Sequence, residues 1–388
     1  MLRLLMAGES HGPVCMAIIE GVPAGVPLSV DDINRELRKR YSDFGRGGRA
    51  SIEKDEAEIL SGVRYGKTLG SPIALVVRNL DFVNWQDEMR IEGVSDVSRE
   101  ASKVTRPRPG HADLSGVLKY GQEDIRNISE RASARETVAR VMAGAVVKRL
   151  LAEFDIKIGS HTVQIGSVRL SRSPKNFQEV ASVFEADPDT RCIEPETSGK
   201  MREAILDARA RQDTLGGVVE VIATGVPVGL GSVMHYDRRL DGRIAQALMS
   251  IPSVKAVEIG DAIKVSSMFG SEAQDIISLK DNRFIRETNN MGGIEGGMSN
   301  GEDIICRVYH KPISTLGSPS RTVDIETHES ALAAVERSDV CVVPRAGVIS
   351  EAMLALVLGE AMTEKFGGDN LNEMDRHFGS YIKSLEER

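Results

Sequence analysis

AIIEGVPAGVPLS, residues 17–29, and EVIATGVPVGLGS, residues 220–232, have the same order of features. Each begins as an apolar strand, passes through Gly-Val-Pro and a small residue to a glycine, and ends in a turn. A candidate helix follows each stretch within roughly ten residues. The repetition predicts a single domain over 1–388, built from two related halves at roughly 1–155 and 215–388 with an intervening segment.

The other elements come in clumps rather than in regular alternation. Strands are predicted at 15–22, 72–77, 216–226 and 303–309, and helices at 31–41, 133–154, 200–212, 242–249, 328–336, 347–366 and 370–386. Ser133 and Glu136 form a Ser-x-x-Glu capping box at the start of the second helix. Clumping, and the lack of G-x-G-x-x-G after a first strand, argue against a doubly wound nucleotide fold and predict an α+β fold.

Composition indicates a soluble globular protein, because 41% of the 388 residues are hydrophobic and 27% are charged. No apolar run approaches the length of a membrane span, and only about five apolar residues precede Gly8, too few for a signal peptide. We therefore expect a cytoplasmic protein without a membrane partner. Four cysteines without a close pair predict reduced, mostly buried thiols rather than a zinc site or disulfides.

The charge pattern favours a small anionic ligand. A net charge of −8 argues against nucleic-acid binding through a basic face. Arginines nevertheless concentrate in segments rich in glycine or proline, at 38–49, 103–108 and 131–135. Ordinary solvated charge is the alternative, and it suits Arg38 and Lys39 on a helix better than arginines wedged between prolines and glycines.

The first histidine candidate lies in GESHG, residues 8–12. GESHG matches the letters of the serine nucleophile elbow G-x-S-x-G, with Ser10 at its centre, but the element predicted to follow is the strand at 15–22 rather than the helix of an elbow. His11 is therefore predicted to be an acid or base in a tight backbone pocket, with Ser10 as a hydrogen-bond donor. The alternative is a turn histidine that bonds only to the local backbone.

The second candidate lies in RPRPGHAD, residues 106–113. The prolines hold Arg106 and Arg108 in extended conformations, so both guanidinium groups could face one anion. Gly110 then permits a sharp turn that presents His111. A rigid surface turn is the alternative, and it remains open for Arg106.

Three further segments could bind an anion. ERASARET, 130–137, places the N-terminus of a helix beside Arg131 and Arg135, whereas an ordinary capped helix would explain Ser133 and Glu136 alone. TNNMGGIEGGMSNGE, 288–302, allows close backbone approach or forms a mobile loop, and it precedes the donors of KPIST, 311–315. In ERSDVCVVPRAG, 336–347, Arg337 and Asp339 lie on either side of a serine. An arginine and an aspartate two residues apart usually form an ion pair on the protein surface.

The residues alone predict an enzyme that binds a polyanion and uses histidines as proton donors, without a covalent nucleophile. No metal-ligand spacing and no Ser-His-Asp order is present, so metal catalysis and serine hydrolysis are disfavoured.

Taken together, these segments resemble the chorismate synthase family. The resemblance runs in order through most of the chain and rests on these motifs: AGESHGP, FGRGGR, RPGHAD, ERASARET, GGVVE, TNNMGGIEGGMSNG, KPIST, VDIETHE and ERSDVCVVPRAG. It implies the 1,4-anti elimination of phosphate from 5-enolpyruvylshikimate 3-phosphate to give chorismate. It also implies reduced FMN as a cofactor, without net redox change.

The resemblance implies a role for individual residues. His111 would lie near the departing phosphate, His11 near the N1 side of the flavin, and Asp339 near flavin N5 as a base relay. Substrate would be bound by arginines: Arg40, Arg46, Arg49, Arg108 and Arg135. FMN would contact a second set: Ser10, Arg131, Ala132, Ser133, Pro252, Ser253, Gly296, Lys311, Pro312, Ile313, Ser314, Thr315 and Arg337.

One departure from the family pattern concerns a flavin contact. Pro252-Ser253 stands where the family commonly carries Asn-Ala, and a proline has no N–H to donate. That contact must then be apolar or come from Ser253, so we expect altered flavin affinity at most.

The resemblance further implies a β-α-β sandwich, with helices between antiparallel sheets, and a homotetramer. No appended reductase domain is visible, so an external source of reduced FMN is favoured over the protein's own NADPH-dependent reduction. An FMN-dependent oxidoreductase acting on a small polyanion is the alternative enzyme class, and a non-catalytic anion-binding module is a third candidate.

Overall fold

The computed structural model describes residues 2–41, 44–45, 55–93, 103–280, 283–336 and 339–387. Its strands are β1 Arg3–Ala7, β2 Val14–Glu20, β3 Ala57–Ile59, β4 Val63–Arg64, β5 Lys67–Thr68, β6 Ile73–Arg78, β7 Lys157–Ile165, β8 Val168–Arg169, β9 Gly217–Thr224, β10 Val254–Ile259, β11 Ile277–Lys280, β12 Arg283–Arg286, β13 Ile294–Glu295, β14 Met298–Ser299, β15 Ile304–His310, β16 Arg321–Val323 and β17 Ser330–Leu332. The four predicted strands are present as β2, β6, β9 and β15. Strands β1 and β7 were not predicted.

The helices in the described residues are α1 Val30–Tyr41, α2 Asp113–Tyr120, α3 Arg126–Ala132, α4 Thr137–Ala152, α5 Phe177–Ala181, α6 Val183–Ala186, α7 Pro195–Ala210, α8 Leu240–Met249, α9 Ala262–Val265, α10 Gly270–Ala273, α11 Val343–Phe366 and α12 Leu371–Glu386. Short 3₁₀ turns cover Leu80–Asn84, Ala134–Glu136 and Tyr236–Arg238. The chain therefore mixes helices and sheets, and six of the seven predicted helices are present.

The predicted helix at 328–336 is wrong, because this segment forms the second strand of the β16–β17 hairpin. The turn of the hairpin is held by Asp324, whose Oδ1 accepts hydrogen bonds from the amides of Glu326 and Thr327. His328 has a φ of 60°, which a helix does not allow. Local turn bonds thus override the apolar spacing that suggested a helix.

The capping box is confirmed only in half. The Ser133 Oγ accepts a hydrogen bond from the Arg135 amide, at 3.3 Å, and caps the 3₁₀ turn that leads into α4. The Glu136 carboxylate does not reach back, since it pairs with Arg140 one turn further on, at 3.0 Å.

Two antiparallel sheets hold most of the strands. The first has the order β1-β2-β6-β3 and the second the order β10-β15-β9-β7-β8. Strand β2 alternates, with Cys15, Ala17 and Ile19 buried and Met16 and Ile18 exposed, so only one face of the first sheet meets the core. Helix α4 packs on the first sheet, α11 on the second, and the two helices pack on each other.

The contact between α4 and α11 depends on glycine. A Cβ atom at Gly144 would lie 2.4 Å from the Cβ of Ala352, and one at Gly359 would lie 2.2 Å from Cγ1 of Val147. The two helices therefore touch backbone to backbone, and any side chain at these positions would force them apart.

We expect Gly144→Ala to lower the free energy of unfolding by about 1–3 kcal/mol, because overpacking outweighs the helix propensity of alanine. Chemical denaturation measures the change. Gly199→Ala in α7 is the matched control, since a Cβ there has nothing within 4 Å and should not destabilise the protein. Equal midpoints for the two variants would contradict the packing argument.

A cluster of buried charges joins α1, α4, α11 and β7. The Lys148 Nζ pairs with Glu36 and with Glu351, the latter at 2.5 Å, and Ser160 Oγ donates to Glu351 at 2.5 Å. Burial would raise the pKa of Glu36, but Lys148 and Lys39 lower it to about 2. Burial would likewise lower the pKa of Lys148, and the two carboxylates raise it instead. Glu36 and Lys148 therefore remain charged at neutral pH.

The two Gly-Val-Pro turns make the same hydrogen bonds. The Thr68 hydroxyl donates to the Pro23 carbonyl at 2.6 Å and accepts from the Val26 amide at 2.9 Å. In the other turn, the Ser299 hydroxyl donates to Pro227 at 2.6 Å and accepts from Leu230 at 2.8 Å. The glycines that flank each Val-Pro have positive φ in both turns: Gly21, Gly25, Gly225 and Gly229. Each turn therefore rests on an equivalent hairpin, β4–β5 or β13–β14.

Helix α11 is long and apolar enough to cross a membrane by length and composition, which differs from the expectation of no such run. In the fold, 78% of its apolar window is buried inside the protein. The apolar character of α11 is therefore explained by its position in the core.

Candidate active site

His11 lies in the loop between β1 and β2, where Glu130 of α3 holds it twice. One carboxylate oxygen accepts from the His11 backbone amide and the other contacts the ring Nδ1, both at 2.7 Å. The ring stacks on Trp85, with 3.7 Å between centroids. Burial would raise the pKa of Glu130, but its bonds to His11 outweigh that effect and lower it. An ionised carboxylate thus lies against the imidazole.

The predicted flavin contacts of 131–133 lie beside this loop. The Ser133 hydroxyl donates to Ser10 Oγ at 3.1 Å, and the Arg131 Nη1 donates to the Gly8 carbonyl at 3.1 Å. Ala132 ends α3, one residue before Ser133. The structure therefore brings Ser10, His11 and the ERAS segment together.

Two of the predicted substrate arginines, Arg40 and Arg135, share one buried carboxylate. Arg135 Nη2 lies 2.8 Å from Asp55, Arg40 Nη1 lies 3.7 Å from it, and the Asp55 side chain is only 1% exposed. Arg40 also donates to the Thr137 hydroxyl and the Ala134 carbonyl, both at 3.2 Å, at the start of α4. The two guanidinium groups therefore lie side by side at one buried carboxylate.

Arg108 and His111 share another buried carboxylate, that of Asp113. The Arg108 Nε donates to Asp113 at 2.8 Å, and the His111 Nδ1 lies 2.5 Å from its other oxygen. The Arg108 Nη1 further donates to Glu336 at 3.0 Å and to Thr315 at 3.3 Å. Burial would raise the pKa of Asp113, but His111 and Arg108 bonds lower it far below its usual range. The rigid RPRPGHAD turn thus carries a paired guanidinium and imidazole.

The KPIST segment lies against this turn. A Cβ at Gly110 would be 3.3 Å from Ser314 Oγ and 3.8 Å from Lys311 Nζ, and Lys311 itself donates to Ser314 at 2.8 Å. Thr315 contacts Arg108, while Pro312 and Ile313 continue the same backbone. Burial and the charge of Lys255 lower the pKa of Lys311. Hydroxyl and ammonium donors therefore surround the glycine turn.

Ser253 and His310 lie at the base of the KPIST segment. Ser253 has a φ of 74°, its carbonyl accepts from the Lys311 amide at 2.9 Å, and its hydroxyl lies 2.9 Å from the His310 Nδ1. Burial lowers the pKa of His310 to about 4, so this ring is neutral at pH 7. Pro252 precedes this strained residue and follows α8 closely.

Two contacts connect these groups into one region. The Ile125 amide donates to Val104 at 2.9 Å, so the chain leading to Arg108 runs beside α3. Arg140 of α4 donates to the Ser250 hydroxyl at 2.7 Å, close to Ser253. Most of the predicted site residues are therefore neighbours in space.

Asp339 is paired with Arg345, whose Nη1 donates to it at 2.7 Å. The next residue, Val340, donates to the Gly45 carbonyl and accepts from the Leu215 amide. The Thr214 hydroxyl donates to Ile313, which ties this segment to KPIST. Arg46, Arg49 and Arg337 lie outside the described residues.

Gly296 lies at the opposite end of α8 from Pro252 and Ser253. It lies in the β13–β14 hairpin, where the next residue, Gly297, accepts from Leu240 at the first residue of α8. Pro252 and Ser253 follow the other end of that helix, about 15 Å away along ten residues at 1.5 Å each. The positive φ of Gly296, 58°, is explained by the hairpin turn itself.

Sequence reasoning missed the acidic partners and the stacking ring of the site: Asp55, Trp85, Asp113, Glu130 and Glu336. Asp113 and Glu130 stand inside quoted motifs, so a rule that each buried histidine needs a carboxylate would have found them. Asp55 and Trp85 are remote in sequence. Among the described residues no cluster of three or more potential metal ligands is present.

Comparisons with known proteins agree with one another. A sequence model of the family described as chorismate synthase matches residues 2–363. The chain is 50% identical to the chorismate synthase of Solibacter usitatus and 52% identical to that of Moorella thermoacetica, each over all of both chains. It is also similar to a crystal structure of chorismate synthase, with a TM-score of 0.80 and 42% identity, over 100% of this chain and 99% of the other.

Proposed function

This chain belongs to the chorismate synthase family and catalyses the reaction of that family, and we propose that the Arg108–His111–Asp113 turn is where the phosphate departs. The reaction is the 1,4-anti elimination of phosphate from 5-enolpyruvylshikimate 3-phosphate. A C–O bond breaks with its electron pair leaving on phosphate, and a ring proton is lost as the new double bond of chorismate forms. The enzyme is accordingly a lyase of aromatic biosynthesis.

The observation that carries the proposal is the sharing of Asp113 by a guanidinium and an imidazole. A departing phosphate gains negative charge, and preorganised donors beside it stabilise that charge. His111 donates the proton or hydrogen bond, while Arg108 supplies fixed positive charge. Asp113 holds both groups in place before the bond breaks.

The substrate carries two carboxylates besides its phosphate, and the paired arginines suit them. Asp55 holds Arg40 and Arg135 side by side, so that two guanidinium groups of the kind that bind carboxylates lie at one place. Arg46 and Arg49 are proposed to complete this substrate site with Arg108, as the resemblance implies. Positioning of this kind lowers the barrier by fixing the substrate before reaction.

The family is known to use reduced FMN, and the residues present fit that group. Lys311, Ser314 and Thr315 offer donors for a phosphate, beside a glycine whose missing side chain leaves room for close approach. Arg131, Ala132, Ser133, Ser10 and Arg337 are proposed further contacts, with Gly296 the least supported by position. When bound, reduced FMN supplies electron density to the breaking allylic bond and recovers it afterwards.

Two groups of the chain are proposed to handle protons next to the flavin. His11, backed by Glu130, would hold a proton at the N1 side. Asp339 would relay the substrate proton on the N5 side, oriented by Arg345. At Pro252 the flavin contact would be apolar, since the Ser253 hydroxyl is engaged with His310.

A homotetramer is proposed, and the outer face of the first sheet supports it. Leu5, Met16 and Ile18 project from neighbouring strands on that face, and Leu5 is 61% exposed. The Arg78–Glu58 ion pair borders the apolar patch. Contiguous exposed apolar surface rimmed by charge is typical of subunit contacts.

The fold is proposed to consist of two related halves that form a β-α-β sandwich. The first sheet's order β1-β2-β6-β3 has a counterpart in β7-β9-β15-β10, and α4 and α11 follow the equivalent strands β6 and β15. The equal hydrogen bonds of the two Gly-Val-Pro turns support this reading. If the two halves correspond in this way, the second half begins with β7, at residue 157, rather than near residue 215.

The proposed setting is the cytoplasm, with reduced flavin delivered by an external reductant and no nucleic-acid or membrane partner. The net charge of −8 and the buried position of α11 support these proposals.

An anaerobic assay tests the function directly. With photoreduced FMN and 5-enolpyruvylshikimate 3-phosphate, the protein should release phosphate catalytically while the amount of reduced flavin stays constant. Stoichiometric oxidation of the flavin would instead identify an FMN-dependent oxidoreductase. No turnover, with ligand binding intact, would identify an anion-binding module.

A further inference from the structure

His11 lies between an acid and an indole. The Glu130 carboxylate contacts both its backbone amide and its Nδ1, and Trp85 covers one face of the ring at 3.7 Å with 29° between planes. The His11 side chain is 14% exposed. This ring is thus oriented at one edge and on one face by residues that the sequence analysis did not single out.

Trp85 is itself held in place. Its Nε1 donates to Asp81 at 3.1 Å, within the 3₁₀ turn after β6, and the Arg126 guanidinium lies 5.4 Å from its ring centroid. Arg126 also lies 3.8 Å from the Glu130 carboxylate. The charged groups that the described residues place near the imidazole include Glu130 and Arg126 of α3, Asp81 behind the indole, Arg131 at the Gly8 carbonyl, and Glu9 of the same loop.

We propose that Glu130 is the positioning residue of His11, fixing the proton of the neutral ring on Nδ1 so that Nε2 exchanges the proton. A carboxylate accepts hydrogen bonds only, so Nδ1 must be the donor. Trp85 fixes the ring plane. This inference rests on the proposed role of His11 in the proton chemistry of the family reaction.

The chain contains one tryptophan, which makes the inference measurable without substrate or flavin. A protonated imidazole quenches a stacked indole more strongly than a neutral one. Trp85 emission in the flavin-free full-length protein should therefore rise as pH increases through the titration of His11. His11→Asn should abolish that transition.

Glu130→Gln should move the midpoint of the transition downward by about one to three pH units, because the nearby negative charge is lost. The same variant should lower turnover by at least about tenfold and displace the limb of the pH–rate profile that His11 controls. The matched control is Asp237→Asn, which removes a carboxylate 2.6 Å from the exposed His235 and should leave the transition unchanged.

Several outcomes would overturn the proposal. An unchanged midpoint in Glu130→Gln with lost activity would make Glu130 merely structural, and a transition that survives in His11→Asn would refute the pairing. If Glu130→Gln does not fold, nitrogen NMR of wild type still decides, since a neutral His11 protonated on Nε2 contradicts the proposal. A shifted midpoint without phosphate release would leave the pairing intact and refute only the proposed function.

Discussion

His111→Ala is expected to lower turnover by about a hundredfold, within the range that acid–base groups contribute. The substitution removes the imidazole of the Arg108–His111–Asp113 cluster, which is the group proposed to act on the departing phosphate. Folding should survive, because Arg108 still donates to both oxygens of Asp113, at 2.8 and 3.1 Å. The loss should therefore fall on kcat, while Arg108 maintains substrate binding.

Steady-state phosphate release under anaerobic reducing conditions measures this loss, and circular dichroism checks the fold. His235→Ala is the matched control, since His235 also pairs with an aspartate, at 2.6 Å, but is largely exposed. Turnover at the wild-type level in His111→Ala would remove the role assigned to the ring. An equal loss in the control would point to a general effect on stability.

Lys148→Met is expected to destabilise the protein by about 3–5 kcal/mol at pH 7, since it removes the cation that pairs with the buried Glu351 and leaves Glu36 with Lys39 alone. The sign of the pH dependence follows from Glu36, whose pKa is lowered to about 2 in the folded state from 4.5. In wild type this contribution is full above pH 4.5 and is lost as pH falls towards 2. The penalty in Lys148→Met should therefore shrink on acidification, when these carboxylates take up protons.

Urea denaturation at pH 7 and pH 4 measures both effects. Lys200→Met is the control, because Lys200 forms an exposed pair with Glu196 and should barely change the midpoint. Adding Glu351→Gln to Lys148→Met should restore part of the stability by removing one buried charge. A penalty that grows at low pH would contradict the assignment of charges.

Local sequence patterns predicted most of the main strands and helices, because turns and strands depend on interactions between residues close in sequence. The Gly-Val-Pro echo pointed to paired turns, and their hydrogen bonds prove equivalent atom for atom. Strand β7 escaped prediction because KIGSHTVQI mixes polar and apolar residues, and burial on both faces hides any alternation. The wrong helix prediction at 328–336 also arose from apolar spacing. The hydrogen-bonded turn at Asp324 makes this segment part of a hairpin, although its apolar spacing is compatible with a helix.

The sequence predicted individual residues of the candidate site, but it did not predict which residues pair with one another. His11, His111, Arg108 and KPIST stand out by their turns and prolines, which a sequence displays. The carboxylates that orient them come from elsewhere in the fold or from unremarked motif positions, and only tertiary structure joins Asp55 to Arg135. Gly296 shows the converse, since its glycine is required by a hairpin at the far end of α8.

The burial of the four cysteines has a consequence for an enzyme of a family that uses reduced flavin. Reduced flavins react with oxygen and release hydrogen peroxide, which attacks thiolates rather than thiols. Cys15, Cys192, Cys306 and Cys341 are all buried, and burial raises the pKa of Cys192 to about 11 and of Cys306 to about 12. Burial thus keeps the Cys192 and Cys306 thiols protonated and shields all four sulfur atoms from solvent, which would protect them from peroxide formed when reduced flavin meets oxygen.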